Sequence, residues 1–389
     1  MDLALTDEQR GIQTLAREFA DAEIAPHAAV WDRERRFPTD VFAKLGALGL
    51  LGTCVPEELG GAGADFLSYI LALEELSRGD AGVGVTVAVH TSAATLPIVA
   101  FGTPEQKARF VPPLASGELL GAFALTEPDF GSDAGSIRTA AVPDGDGWIV
   151  TGAKQWITNG SHAGTFVLFA RSDDSTAGPR GVSCFLLDRD QVTVVREEEK
   201  LGLNSSSTAD IRVDGVRVER DRLLHDERKG FTVAMATLDG GRIGIAAQAV
   251  GIARAAYEAA LAYAAQRRQF GRRIAEFQAI QFALAEMSTS IDAARLLTYR
   301  AAWRKQNGLP HTGEGAKAKL FASRVAVESA SAAIQVLGGY GYTKEFPVER
   351  FYRDAKVTEI YEGTSEIQRI VIARQILQQQ ERLLPAGVV

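Results

Sequence analysis

The chain has 389 residues, too many for one compact core, so its length predicts two or three domains. Hydrophobic residues make up 46% and charged residues 23%, which is the composition of an ordinary globular protein. The formal net charge of -7 argues against general nucleic-acid binding, because that function needs a basic face to meet phosphates.

Cysteines and histidines are few and scattered along the chain. The two cysteines, Cys54 and Cys184, lie far apart, which argues against a disulfide framework or a Cys-rich zinc site. No two of the five histidines have helical ligand spacing, so no metal site is predicted. The N-terminus lacks a signal-peptide pattern, and the polar residues within the apolar stretch 81–102 favour a buried helix over a membrane span. We therefore expect a cytoplasmic protein in a reducing compartment, without a membrane partner.

The first third of the chain, residues 1–120, is predicted to be an α-helical domain. Thr6 and Gln9 have the spacing of a capping box, and apolar residues then recur on one helical face. Thr103 and Gln106 repeat this pattern, with Pro104 at the first helical position.

Residues 121–230 are predicted to form a β-domain, either a small barrel or a sandwich. Short apolar runs, several of them rich in β-branched residues, alternate with Asp-Gly turns. The runs cover residues 148–150, 165–170, 182–187, 192–195 and 211–218.

Residues 231–389 are predicted to be helical again. Four long amphipathic segments with short connections, at 243–266, 275–304, 315–337 and 364–380, favour a four-helix bundle. The fold class is therefore α+β, with an N-terminal helical domain, a middle β-domain and a C-terminal bundle.

Two motifs of the β-domain are candidates for cofactor contacts. In the segment 123–132, Pro128 and Gly131 shape a turn whose free N–H groups and hydroxyls suit an anion or the edge of a flavin, although an ordinary loop has the same composition. In the motif QWITNG, Trp156 beside Thr158 could cover an aromatic cofactor, but a half-buried structural tryptophan is the commoner case.

Two further motifs open and close the first long helix of the C-terminal part. The motif LDGGR, residues 238–242, is placed near the start of that helix, where small residues allow close approach of a ligand or where a simple ion pair could form. The basic cluster 266–273 suits a pyrophosphate or is a solvated turn. The phosphate fingerprint of dinucleotide-binding folds is absent, so a nucleotide would bind without a Rossmann unit.

Glu362 lies between Tyr361 and Gly363, just before the last helix. Thr364 or Ser365 would cap that helix, whose N-terminus attracts negative charge. A glutamate here can act as a base if its pocket is apolar and reaches a substrate, while the default interpretation is a loop glutamate.

Taken together and in this order, the motifs LTEPDFGSD, QWITNG, LDGGRIGIAAQ, RRQFGR, QVLGGYGY and IYEGTSEIQR resemble the acyl-CoA dehydrogenase family along essentially the whole chain. The resemblance implies the three-part fold described above, non-covalent FAD and a homotetramer. Its implied substrate is an acyl-CoA, most similar to the short-chain or short branched-chain group, and its implied electron acceptor is electron-transfer flavoprotein.

The resemblance also implies roles for individual residues. Glu362 matches the catalytic base, which takes the α-proton while the flavin accepts the β-hydride. The positions that match FAD contacts are Phe123, Leu125, Thr126, Gly131, Ser132, Trp156, Ile157, Thr158, Arg267, Gln278, Gln335, Val336, Leu337, Gly338, Gly339, Thr364, Ser365 and Glu366. The positions that match acyl-CoA contacts are Ser132, Asp239, Gly240, Gly241, Arg242 and Gly363.

Other functions on the same fold stay open at this point. An acyl-CoA oxidase differs in flavin access, which the sequence does not show. Flavin monooxygenases usually lack the glutamate, and a non-catalytic or DNA-associated relative would have a basic C-terminal face. Some branches carry the base on the helix of residues 239–242, but here Gly240 and Gly241 leave no rival carboxylate.

Overall fold

A computed structural model describes residues 4–176 and 178–383 of the chain. The chain divides into two compact units, Met1–Gly241 and Arg242–Val389. The first contains the N-terminal helices and the sheet, and the second is helical apart from one short hairpin. The finer division into domains 1–120, 121–230 and 231–389 stays a prediction.

The N-terminal part of the first unit is helical, as predicted. Both capping boxes are present: the Thr6 and Thr103 side chains accept from the amides of Gln9 and Gln106, whose own side chains accept from the cap amides. The helices are α1 (Asp7–Phe19), α2 (Ala25–Glu34), α3 (Thr39–Ala47), α4 (Phe66–Gly79), α5 (Ala81–Ala88), α6 (Leu96–Phe101) and α7 (Pro104–Ala115).

The middle of the first unit is a seven-stranded sheet. The strands are β1 (Leu120–Ala124), β2 (Ala140–Asp144), β3 (Gly147–Thr158), β4 (Ala163–Arg171), β5 (Val182–Asp188), β6 (Thr193–Glu197) and β7 (Thr208–Val218). Their order is β1-β4-β2-β3-β7-β6, and β5 pairs with β4. Four of the five predicted apolar runs fall within β3, β4, β5 and β7, and the run 192–195 begins one residue before β6, while β1 and β2 were not predicted as strands.

The core of the first unit lies on both faces of β4. Phe166 and Leu168 belong to one buried cluster, whereas Val167 and Phe169 belong to a second cluster that includes helix α7. Since successive side chains of a strand point to opposite faces, residues 166–170 of β4 are apolar on both faces, which explains the continuous hydrophobic run.

The second unit is helical. Helix α8 (Gly230–Gln266) begins in the first unit, and its residues from Arg242 onward belong to the second. It is followed by a hairpin of β8 (Arg268–Gln269) and β9 (Arg272–Arg273), and by α9 (Gln278–Gln306), α10 (Thr312–Leu337), α11 (Val348–Lys356) and α12 (Ser365–Leu383). Helix α10 packs against α9, α11 and α12, which makes it the central helix of this unit.

Two helical stretches, Ala81–Phe101 and Thr312–Tyr342, are long and apolar enough to cross a membrane by length and composition. The most apolar window of the first is 83% buried within the protein and that of the second 50%. Core helices of globular proteins have the same length and composition, so these stretches are weak evidence for a span.

Candidate active site

The predicted cofactor loop of the first unit follows β1 and lies against the end of β3. The pairing of β3 with β7 is irregular between Lys154 and Ile157, so Gln155 and Trp156 leave the ladder. The Gln155 amide instead donates to the Thr126 carbonyl at 2.9 Å. This bond brings together the two motifs that the sequence placed around a cofactor.

A buried ion pair anchors this loop. The Glu127 carboxylate accepts from Lys154 Nζ at 2.8 Å and from the amides of Arg138 and Thr139 at 2.6 and 2.8 Å. Lys154 Nζ also donates to the Leu125 carbonyl at 3.0 Å. Burial lowers the pKa of Lys154 to about 8, while Glu127 opposes that shift. Burial would raise the pKa of Glu127, but the Lys154 charge and the donated hydrogen bonds hold it below its usual value.

The side chains around this loop suit a flat aromatic group. Trp156 has a φ of 62°, an uncommon value for a bulky residue, and its side chain is 55% exposed. Apart from Gly131 and its two chain neighbours, no atom of the described residues lies within 4 Å of the position that a Gly131 Cβ would occupy, so this part of the loop is open. Leu125 and Ile157 are buried, so they would contact a cofactor through their backbone. Phe123, Thr126 and Thr158 are half-buried, and Ser132 is exposed.

The remaining predicted cofactor positions lie in the second unit. Arg267, Gln278, Gln335, Gly338 and Gly339 are exposed on this unit, whereas Val336 and Leu337 are buried at the end of α10. Ser365 and Glu366 open α12.

The motif LDGGR does not lie near a helix start, contrary to the prediction. Helix α8 begins at Gly230, so residues 239–242 are within it. Mid-helix glycines cost about 1 kcal/mol each relative to alanine, which made a boundary the natural expectation. Gly240 and Gly241 are buried, Asp239 is half-buried, and Arg242 is 5% exposed.

Glu362 and Gly363 form a left-handed turn before α12, with φ values of 53° and 87°. Thr364 caps α12, because its hydroxyl accepts from the Ile367 amide at 3.4 Å and its carbonyl from the Gln368 amide at 2.9 Å. A glutamate in this backbone region is strained, and such strain is commonly retained at functional sites.

Two side chains hold the backbone of this turn. Lys319 Nζ on α10 donates to the Gly363 carbonyl at 2.5 Å. Gln368 Nε2 on α12 donates to the same carbonyl at 2.8 Å and to the Glu362 carbonyl at 3.2 Å. Both side chains are buried, so these bonds are shielded from water.

The Glu362 carboxyl group differs sharply from that of Glu127. Glu362 is partly exposed as a whole, yet its Oε2 atom is buried, and no residue that the structure describes donates a hydrogen bond to this atom. Burial raises the pKa of Glu362 to about 7, and the charges of Lys319 and Arg242 oppose this rise. The carboxyl group can therefore exchange a proton near neutral pH.

Tyr361 precedes the base and is tied to α8. Its hydroxyl donates a short hydrogen bond to Gln248 Oε1, and Gln248 is fully buried. Burial raises the pKa of the Tyr361 hydroxyl well above its usual range, so this group stays protonated.

Family models of acyl-CoA dehydrogenase domains match three consecutive parts of the chain. The N-terminal domain model matches residues 6–118, the middle domain model 122–216 and the C-terminal domain model 228–377. The chain belongs to the acyl-CoA dehydrogenase family.

Individual acyl-CoA dehydrogenases are similar over nearly their full length. The short-chain specific acyl-CoA dehydrogenase of Clostridium acetobutylicum is 47% identical, over 97% of this chain and 100% of that protein. The mitochondrial short-chain specific enzyme of Bos taurus is 49% identical, over 96% of this chain and 91% of its own length.

Solved structures share the fold of these acyl-CoA dehydrogenases. Butyryl-CoA dehydrogenase from Megasphaera elsdenii superposes with a TM-score of 0.95 and 44% identity, covering 97% of this chain and 100% of its own. A chain from a structure described as the electron transferring flavoprotein of Acidaminococcus fermentans has a TM-score of 0.96 and 46% identity, covering 97% and 100%.

Four residues with evident roles at these sites were not singled out from the sequence as functional: Glu127, Lys154, Lys319 and Gln368. Glu127 lay within a quoted motif but had no assigned role. Lys154 follows Val150 and Gly152 at inward-facing positions of β3, so strand alternation could have marked it as a buried lysine. Gln368 lay within the motif IYEGTSEIQR, five and six residues after its partners, but had no assigned role. Lys319 had no comparable signal, because its partner Gly363 lies 44 residues away.

Proposed function

We propose that this acyl-CoA dehydrogenase family member converts a short-chain or short branched-chain acyl-CoA to the trans-2-enoyl-CoA, with Glu362 as the base. The observation that carries the proposal is the buried Glu362 Oε2 atom without a hydrogen-bond donor, on a carboxyl group whose pKa burial raises to about 7. A base is most effective when its pKa lies near the working pH, because it is then both ionised and able to hold the proton.

The backbone of the same residue supports this role. Within residues 4–176 and 178–383, the Glu362 amide donates to no acceptor, so its N–H is available to a thioester carbonyl. An α-proton next to a thioester is weakly acidic, and a positioned donor that stabilises the developing enolate lowers the barrier to its removal. Glu362 can thus supply the base from its side chain and a donor from its backbone.

FAD is the cofactor, and the described residues fit it. In the first unit, the exposed indole of Trp156 would cover the flat ring. In the second unit, the exposed arginines Arg267, Arg268 and Arg272 would meet the pyrophosphate of a neighbouring subunit's FAD. Bound FAD supplies the hydride acceptor of the reaction.

The identity of the acyl group and the partners belong to the same proposal. Relatives at 47–49% identity are named as short-chain specific, which supports a short acyl chain. The match to a chain of an electron transferring flavoprotein structure supports that protein as electron acceptor. We further propose a homotetramer in the cytoplasm, in which Arg267, Gln278 and residues 335–339 contact the FAD of a neighbouring subunit, without nucleic-acid or membrane partners.

An anaerobic titration tests the proposal. The purified yellow protein is mixed with straight-chain thioesters from butyryl-CoA to palmitoyl-CoA and with isobutyryl-CoA, and the loss of flavin absorbance is followed. We expect the fastest bleaching with the short thioesters, and one trans-2-enoyl-CoA per flavin reduced. Absence of bleaching with every thioester would rule out the dehydrogenase function, and fastest bleaching with palmitoyl-CoA would rule out the short-chain assignment.

A further inference from the structure

Helix α10 places a lysine directly behind the base. Lys319 is 1% exposed, and its Nζ donates to the carbonyl of Gly363, the residue after Glu362, at 2.5 Å. Burying an ammonium group costs several kcal/mol, about as much as a typical buried charge. Another interaction of Lys319 must therefore offset the cost of burying its charge.

Satisfying the Gly363 carbonyl does not by itself require that charge. Gln368 Nε2 already donates to the same oxygen at 2.8 Å, and a neutral side chain could supply a second donor. What a neutral donor could not supply is a positive charge close to Glu362. Lys319 delivers that charge while its hydrogen bond goes to the backbone, so Glu362 Oε2 receives no donor from any residue in the described ranges.

The charges around this pair come from several elements. Arg242 on α8 is a second cation near both Glu362 and Lys319, and Glu359 and Glu366 are anions near Lys319 from the turn before Glu362 and from the start of α12. Burial lowers the pKa of Lys319 to about 7, while Glu362 is the largest influence that raises it again. Lys319 and Glu362 each stabilise the charged form of the other.

We propose that Lys319 is a positioning residue for the dehydrogenation: its hydrogen bond to the Gly363 carbonyl fixes the left-handed Glu362–Gly363 turn, and its charge favours the ionised form of the Glu362 carboxyl without a hydrogen bond to that group. The inference rests on the proposed role of Glu362 as base. A direct hydrogen bond to the carboxylate would stabilise it further and make it a weaker base. A charge held at the neighbouring carbonyl offsets part of the burial cost and leaves the oxygen open to a substrate proton.

Lys319→Met tests the proposal, because methionine fills a similar volume without charge or donor. Lys317→Met is the matched control, since Lys317 is on the same helix and only half-buried. For both variants and the wild type, flavin content is measured first, and then the pH dependence of anaerobic bleaching by butyryl-CoA. Wild-type bleaching establishes the proposed function independently of either variant.

In the Lys319→Met variant, we expect the midpoint pH below which bleaching slows to be higher than in the wild type by at least about one unit. The reason is that removing a nearby cation raises the pKa of the Glu362 carboxyl group. At pH 7, a carboxyl pKa that rises from about 7 to about 8 leaves roughly fivefold less of the base ionised, so bleaching should be about fivefold slower or more. Lys317→Met should follow the wild type. Lys319→Gln is the second variant, and it replaces Lys319→Met in the test if that variant loses its flavin. Its amide can still donate a hydrogen bond but carries no charge, so the pH below which bleaching slows should also rise. If wild-type protein bleaches but this midpoint pH stays in place in the flavin-loaded variant, the proposal is wrong.

Discussion

In the part of the chain that the structure describes, each unit has a buried lysine close to a glutamate, and the two pairs differ in where the lysine hydrogen bonds go. In the first unit, Lys154 donates directly to the Glu127 carboxylate, which also receives two backbone amides. In the second unit, Lys319 donates to the Gly363 carbonyl. Of the residues described by the structure, none donates to Glu362 Oε2.

This difference in hydrogen bonding distinguishes Glu127, which fixes a loop, from Glu362, the proposed base. The pKa of Glu127 stays below its usual value because donated hydrogen bonds and the Lys154 charge outweigh burial, so the carboxylate is a permanent acceptor that fixes the loop. The pKa of Glu362 rises to about 7 because burial outweighs the Lys319 and Arg242 charges. The same two residue types thus give opposite protonation behaviour, depending on whether hydrogen-bond donors reach the carboxylate.

Breaking the ion pair between Glu127 and Lys154 should give the largest change in stability. Glu127→Gln removes the carboxylate and leaves the Lys154 ammonium buried beside a neutral amide, which should cost about 3–5 kcal/mol. We expect lower thermal and urea midpoints at pH 7 and weaker FAD retention, because the loop 125–132 loses its anchor. Glu118→Gln is the control, since Glu118 is exposed. Equal midpoints for the two variants would show that the Glu127 pair does not hold the loop.

Neutralising Glu362 should change the free energy of unfolding in the opposite direction. A glutamate whose folded-state pKa is raised from 4.5 to about 7 gives its full stabilising contribution below pH 4.5, and that contribution is lost as pH rises through 7. Glu362→Gln is never ionised, so it should exceed the wild type in stability above pH 7, by an amount on the order of 3 kcal/mol.

The stability difference between Glu362→Gln and the wild type is measured by urea unfolding at several pH values, and it should shrink toward pH 4.5. Glu345→Gln, at an exposed position in the same unit, is the control and should follow the wild type. A destabilised Glu362→Gln protein at pH 8 would contradict the contrast between the two pairs.

Removing the Gln368 side chain, which donates to the backbone of the turn, should have a smaller effect on stability. Gln368→Met leaves the Glu362 carbonyl without its donor and the Gly363 carbonyl with Lys319 alone, which should cost about 1–3 kcal/mol. Urea unfolding compares it with Gln378→Met, an exposed glutamine on the same helix. A Gln368→Met protein as stable as that control would mean that the turn does not depend on this side chain.

The smallest expected effect is at the helix cap. Thr364→Ala removes the hydroxyl that accepts from the Ile367 amide and should cost about 1 kcal/mol, whereas Thr364→Ser keeps the hydroxyl and should cost little. Thermal denaturation of the two variants gives the difference. No difference between alanine and serine would show that this hydroxyl does not stabilise α12.

Local patterns predicted much of the fold. The capping boxes at Thr6 and Thr103 depend on residues three apart, and the strands β3 to β7 depend on apolar runs and Asp-Gly turns, so both could be read from short windows. The long helical segment predicted at 243–266 begins earlier, at Gly230, and burial allows Gly240 and Gly241 within the helix. Burial of this kind is a property of the packed protein and not of the local sequence.

The environment of Glu362 could not be predicted for the same reason. The sequence predicted that Glu362 lies just before a helix, and the family resemblance implied its role as the base. Its neighbours were not readable, because Lys319 lies 44 residues away from Gly363. Likewise, Lys154 and the Glu127 carboxylate are 27 residues apart and meet only when β3 lies beside the loop. Contacts over such separations depend on the tertiary fold.

Proton abstraction by Glu362 can be measured separately from oxidation. The flavin-loaded protein is mixed in D2O with a 3-thia-acyl-CoA, whose sulfur replaces the β-carbon and prevents hydride loss, and deuterium uptake at the α-carbon is followed by mass spectrometry. The wild type should exchange the α-hydrogens, and Glu362→Gln should retain FAD but exchange roughly 10²- to 10⁴-fold more slowly. Exchange at the wild-type rate in flavin-loaded Glu362→Gln would contradict the assignment of Glu362 as the base.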